Sequence, residues 1–95
     1  MSAPASPKAK LRLGRIVMTH SAMNWLAEED IFRAIQRHQA GDWGDVSEED
    51  RSANDQALVS GTPMVSVYRT PQGITFWLIT EADRSVITIF FSEDY

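Results

Sequence analysis

The chain has no cysteine. That excludes a disulfide framework and any thiolate metal site, and it fits a reducing compartment such as the cytoplasm. No apolar run approaches the ~20 residues needed to span a bilayer, and no secretory-signal pattern is read at the start. An excess of positive charge is also missing: nine Lys and Arg stand against thirteen Asp and Glu, a net charge of −4. General nucleic-acid binding needs a cationic footprint, so this balance argues against it. There is no HExxH, no phosphate-binding glycine loop, no dinucleotide fingerprint and no nucleophile elbow. Zinc proteolysis, nucleotide hydrolysis and hydride transfer therefore have no support, and neither a cofactor nor a metal is expected.

What remains is a chain of 95 residues, 43% hydrophobic, which suffices for one small core. Charge is unevenly placed. Residues 1–20 carry only bases, whereas residues 21–60 hold most of the acids against Arg33, Arg37 and Arg51. Residues 1–10, rich in Pro, Ala and Ser, read as a disordered tail, and residues 11–95 as a single α+β domain. Leu11 to Met18 reads as a strand. Ser21 is placed to cap a short helix through Trp25 and Leu26, and Asp30 to cap a second, with Ile31, Ile35 and either Phe32 or Ala34 facing inward. Gly41 suits a helix C-terminus. Ser47, with acids at Glu48, Glu49 and Asp50, resembles a capping box opening a third helix that stops at Gly61.

The stretch from Met64 to Phe91 organises the rest. It reads as a three-stranded antiparallel meander, rich in β-branched and aromatic residues. A turn at Thr70-Pro71-Gln72-Gly73 would set Val67 against Phe76 and Ser66 against Trp77. A tight corner at Ala82-Asp83 would set Glu81 against Arg84 and Trp77 against Thr88. Alternation then gives a core face with Val65, Val67, Phe76, Leu78, Ile87, Ile89 and Phe91. A second face holds Ser66, Tyr68, Trp77, Ile79, Thr88 and Phe90. The expected fold is α+β: an N-terminal strand, two or three helices and the meander, with the helices on one face of a four-stranded sheet.

Several stretches carry a resemblance: LGRIV (13–17), RHQAGDWG (37–44), Asp50 with Asn54, Ser66 with Tyr68, and WLITEADRSV (77–86). The chain resembles a family of small bacterial proteins carried on plasmids and other mobile elements. Some of these bear a label naming the modification subunit of a type I restriction enzyme. The resemblance covers roughly residues 13–95. It implies this fold and a mobile-element setting, and no catalytic mechanism. Ile87 and Ser92 depart from the family pattern, which has Thr and Pro there, and so carry no chemistry in this reading.

Each candidate site has two readings. His38 is a general acid or base, or a cap for the C-terminus of its helix. The Asp42–Asp45 loop has too few oxygens for a metal and reads as a turn anchored by Trp43. Arg84 pairs with Glu81 across the hairpin, or binds an anion. The second sheet face, with Ser66, Tyr68, Trp77, Thr88 and Phe90, is covered either by the chain itself, Trp43 included, or by a partner. A second copy of the chain on that face would give a homodimer.

Two functions follow. The first is a small acidic interaction protein of a phage or plasmid that binds a host protein such as a defence component, inhibition being one outcome of such binding. Trp43 and the second face would be its contacts, and Glu48 and Glu49 would present charge to a basic groove. Neither a direct nucleic-acid partner nor a membrane is favoured. The alternative is a metal-independent ribonuclease toxin of barnase-like or RelE-like layout, with His38 and Arg84 as catalytic candidates. Against it, the counted register puts Ser66 and Thr88 on one face and the helix of His38 on the other.

Overall fold

The computed structural model describes residues 14–91. The expected tail at residues 1–10, the first residues of the N-terminal strand and residues 92–95 lie outside them. Seven elements follow in order: β1 (Arg15–Met18), α1 (His20–Trp25), α2 (Glu28–Gln39), α3 (Glu48–Ser60), β2 (Met64–Arg69), β3 (Thr75–Thr80) and β4 (Val86–Phe91). The strands form one sheet in the order β1-β4-β3-β2. The meander is antiparallel as expected, but β1 joins it parallel to β4, so the sheet is mixed. The architecture is α+β.

The capping residues differ in part from expectation. α1 is capped by Thr19, whose side chain accepts from the Ala22 amide, rather than by Ser21. α2 starts after Ala27 and has no side-chain cap. Asp30 instead joins Glu28 and Glu29 in its first turn, where three carboxylates meet the positive end of the helix dipole. Ser47 caps α3 as expected, accepting from the Asp50 amide at 3.1 Å, and Gly61 closes it in the left-handed conformation.

The main correction concerns the register of the first hairpin. The expected turn forms, with the Gly73 amide bonded to the Thr70 carbonyl at 2.9 Å. Gly73, at φ 89°, adds a left-handed step, so Thr70 pairs with Ile74 and the loop proper is Pro71-Gln72-Gly73. Tyr68 thus faces Phe76, Val67 faces Trp77 and Ser66 faces Leu78. That is a slip of one residue, and it turns β2 over. Met64, Ser66 and Tyr68 are buried on the helix-covered face, while Val65 and Val67 are half-buried on the other.

The second hairpin also departs from the count. Glu81 pairs with Val86 rather than Arg84, leaving four residues in the loop. Leu78 therefore faces Ile89, and Trp77 faces Phe90. This slip is of two residues and changes no face. Phe76, Leu78, Ile87, Ile89 and Phe91 stay in the core as expected, and Trp77 lies opposite Phe76 and Leu78. Its flanks are Val67 and Phe90, not Ser66 and Thr88.

The core lies between this face and the helices. Ala22 of α1, Leu26, and Ala34 and Ile35 of α2 pack on Tyr68, Phe76, Leu78, Ile87 and Ile89. Of the two alternatives for the inner stripe of α2, Ala34 is buried and Phe32 is 62% exposed. A smaller cluster joins Ala57 of α3 to Met64 and Trp43. On the other face, Val65, Val67, Trp77, Ile79, Val86 and Thr88 are half-buried, and Phe90 is buried.

Candidate interaction edge and the buried histidine cluster

α2 carries His38 one turn beyond Ala34 and Ile35, on the same inner stripe. The ring is 0% exposed. Its Nδ1 meets the Ser66 hydroxyl at 2.5 Å and its Nε2 meets the Thr80 hydroxyl at 2.6 Å, while the ring stands T-shaped against Trp43 with centroids 5.5 Å apart. The slip that turned β2 over brings Ser66 to His38. The separation of the two onto opposite faces, expected from the counted register, is therefore wrong. His38 is not a helix cap either, because both ring nitrogens reach across to the sheet. Burial, aided by the positive charge of Arg84, pushes its pKa down to about 4. The imidazole is accordingly neutral at pH 7, bridging β2 and β3 through two hydroxyls.

Arg84 is not paired with the Glu81 carboxylate. Its guanidinium donates to the Ala57 carbonyl at 2.6 Å and the Thr62 carbonyl at 2.8 Å, holding the C-terminal end of α3 against the β3–β4 corner. Its backbone sits at φ 64°. Those contacts leave it tied to main-chain carbonyls, where a cation complements the negative end of the helix.

The Asp42–Asp45 loop is pinned, as expected. Trp43 is 1% exposed and donates from Nε1 to Asp55 at 2.9 Å. Asp42 accepts from Arg37 at 2.7 and 3.1 Å, and its carbonyl accepts from the Tyr68 hydroxyl at 2.6 Å. Arg37 holds the Asp42 carboxyl below the usual range, and burial pushes the Tyr68 phenol up. Among the described residues no three His, Asp or Glu side chains are grouped to hold a metal.

The loop also closes one side of the sheet. Val67 donates to the Trp43 carbonyl and accepts from the Asp45 amide. One strand position earlier in that alternation, Val65 bonds the Asn54 side chain through both its amide (3.0 Å) and its carbonyl (2.7 Å). An asparagine and a three-residue bridge thus stand where a fifth strand would lie.

The β1 side has no such closure among the described residues. Arg15 and Thr19 donate to Ser85 and Ile89 of the β4 segment. By the alternation of a parallel ladder, the Ile16 and Met18 amides turn outward, and no described residue bonds them. Beside this edge runs an apolar groove of about 560 Å³, with Ile16, Met18, Met23, Ile31 and Phe32 in its walls and Glu28 at its rim. Met23 is 62% exposed, and Trp25 at the end of α1 is exposed as well.

The expected contact residues are dispersed. Ser66, Tyr68 and Trp43 are buried on the helix side of the sheet, which corrects their placement on, or over, the second face. Trp77, Thr88 and Phe90 do share that face, and the Trp77 and Phe90 rings lie 5.8 Å apart. Glu48 and Glu49 are exposed in the first turn of α3. Sequence reasoning missed Thr80 as a partner of His38, and missed Ile16, Met23 and Phe32 as a surface. The signal for Phe32 was present, since choosing Ala34 for the inner stripe leaves Phe32 outside. The chain matches no protein-family model, no curated protein and no solved structure.

Proposed function

We propose that this protein is a non-enzymatic interaction protein whose partner adds an extended segment to β1. The observation that carries the reading is the asymmetry of the sheet. Among the described residues, the β2 edge is sealed by Asn54 and the Trp43–Asp45 bridge, whereas β1 offers outward amides beside an apolar groove. Exposed edges are ordinarily blunted, and main-chain pairing with side chains in an adjoining pocket is a recurring mode of recognition. Glu28, which lines the groove, and its neighbours Glu29 and Asp30 in the first turn of α2 favour a basic segment there. The resemblance to mobile-element proteins supports a host protein, such as a defence component, as the partner, with inhibition as the outcome.

The test is affinity capture from the host by the tagged chain, repeated with Ile16→Pro and Phe32→Asp. The Ile16 amide points away from β4, so proline there removes an edge donor and no bond within the sheet. Both variants should keep the wild-type circular dichroism and lose the captured protein. Capture retained in both, but lost in Trp77→Asp, would move the interface to the second sheet face. A β1-mediated dimer dissolved by Ile16→Pro would make a second copy the occupant.

The geometry of His38 weighs against the ribonuclease alternative. A general acid or base must come within hydrogen-bond reach of its substrate. Here both ring nitrogens are engaged and no part of the ring meets solvent. Purified protein is expected to leave RNA intact. RNA cleavage that disappears in His38→Ala would overturn this reading.

A further inference from the structure

A second concavity lies on the other side of α2, between that helix and the β2–β3 turn. Its volume is about 260 Å³, and Arg33, Arg37, Arg69 and Thr70 are among the residues lining it. Three of the six described arginines therefore gather at one cleft of a chain whose net charge is −4. Solubility alone gives no reason for that clustering, since like charges repel.

The cations differ in how firmly they are held. Arg37 is fixed: Asp42 grips one edge of its guanidinium, and the group lies 4.5 Å over the Tyr68 ring. A guanidinium has five N–H donors, so this leaves others directed away from Asp42 in a set orientation. Arg33 has only a loose pair with Asp30 at 3.6 Å, and Asp30 itself lines the cleft. Arg69 has no acidic partner among the described residues. Thr70 is 6% exposed, and its hydroxyl oxygen accepts from the Ile74 amide at 3.1 Å. The hydroxyl hydrogen finds no acceptor among the described residues. The floor, Ala34 with Phe76, is apolar.

From these features we infer that the cleft binds a small phosphate monoester, with the phosphate toward Arg33, Arg37 and the Thr70 hydroxyl and the organic group against the exposed Pro71, above the buried Ala34 and Phe76. A dianion suits more than one guanidinium, and planar donor pairs match phosphate oxygens. A bare inorganic anion would leave the apolar floor unused.

The probe is phenyl phosphate, titrated into the full chain by calorimetry, with phenol and inorganic phosphate as the comparison ligands. Phenyl phosphate should saturate, bind at least about tenfold more tightly than inorganic phosphate, and weaken as salt is added, whereas phenol should not bind. Arg33→Gln, at an exposed helix position, should weaken phenyl phosphate about tenfold while leaving the thermal transition in place. Thr70→Ser, which keeps both the acceptor and the donor, should retain binding. Absence of saturation at about 10 mM phenyl phosphate, or affinity unaltered in Arg33→Gln, would overturn the assignment.

Discussion

At the scale of single residues, His38 has the largest consequences. Its imidazole is harder to protonate in the folded chain, where the pKa is about 4, than in the unfolded chain, where histidine titrates near 6.5. Its contribution to stability is therefore full above about pH 6.5, declines as the pH falls, and is gone by about pH 4. The difference amounts to roughly 3 kcal/mol by linkage, and urea denaturation at pH 7 and at pH 4.5 should reveal most of it. Asp42 loses its own contribution at lower pH, because Arg37 holds its pKa below the usual carboxylate value. His38→Ala should flatten the profile between pH 4.5 and 7. It should also cost about 2–5 kcal/mol at pH 7, through the cavity and through two buried hydroxyls left without a partner. A profile in the variant as steep as in the wild type would mean that another group titrates there. Arg84 makes a parallel case. Arg84→Lys keeps the charge, but a single ammonium lacks the planar fork that spans the Ala57 and Thr62 carbonyls. It should destabilise the chain by about 1–2 kcal/mol in a chemical melt. A change within error would show that charge alone holds the corner.

At the scale of elements, the decisive feature is the parity of the strand register. A slip of two residues at the β3–β4 loop moved neighbours along the strands and left every side chain on its expected face. A slip of one at the β2–β3 loop exchanged the faces of β2 and carried Ser66 and Tyr68 into the core. The edges are the second elemental feature. Asn54→Ala removes both side-chain bonds to Val65, and should destabilise the fold by about 1–3 kcal/mol while opening the β2 edge to self-association. Urea melts and sedimentation velocity read the two effects separately, and a variant that remains monomeric and equally stable would show that the edge needs no closure. Gly44 takes φ 75°, and a Cβ there would run into the Val67 carbonyl and the Tyr68 ring. Gly44→Ala should consequently disturb the same edge from the loop side. At α3, Ser47→Ala should cost about 1 kcal/mol through loss of the cap.

At the scale of the whole molecule, the acids that open α3 and the apolar groove beside β1 lie at opposite sides of the sheet. α3 packs on β2, at the opposite side of the sheet from β1, so Glu48 and Glu49 lie away from the β1 edge. Reversing both to Lys should slow capture of a basic partner and lessen its dependence on salt without abolishing it. Complete loss of capture would place the contact at the acidic end instead. The amino-acid order alone specified a good part of this arrangement. Composition allows only a small core, β-branched and aromatic runs mark the three strands of the meander, and Ser47 and Gly61 mark the ends of α3. These are local signals: each depends on the conformational preferences of a few neighbouring residues. The capping of α1 and α2 was less legible, because Thr19, Ser21 and Asp30 all have capping chemistry and the packing of Ala22 and Leu26 selects among the possible starts. Tertiary structure alone decided the face of β2, the joining of His38 to Ser66 and Thr80, the role of Arg84, and the closing of the β2 edge by Asn54 and the Trp43–Asp45 bridge. The physical reason is that a one-residue difference in loop pairing is small in local energy but reverses an entire strand. The contacts that choose between the two outcomes, such as the His38 bridge and the Asn54 clasp, join residues far apart in the chain.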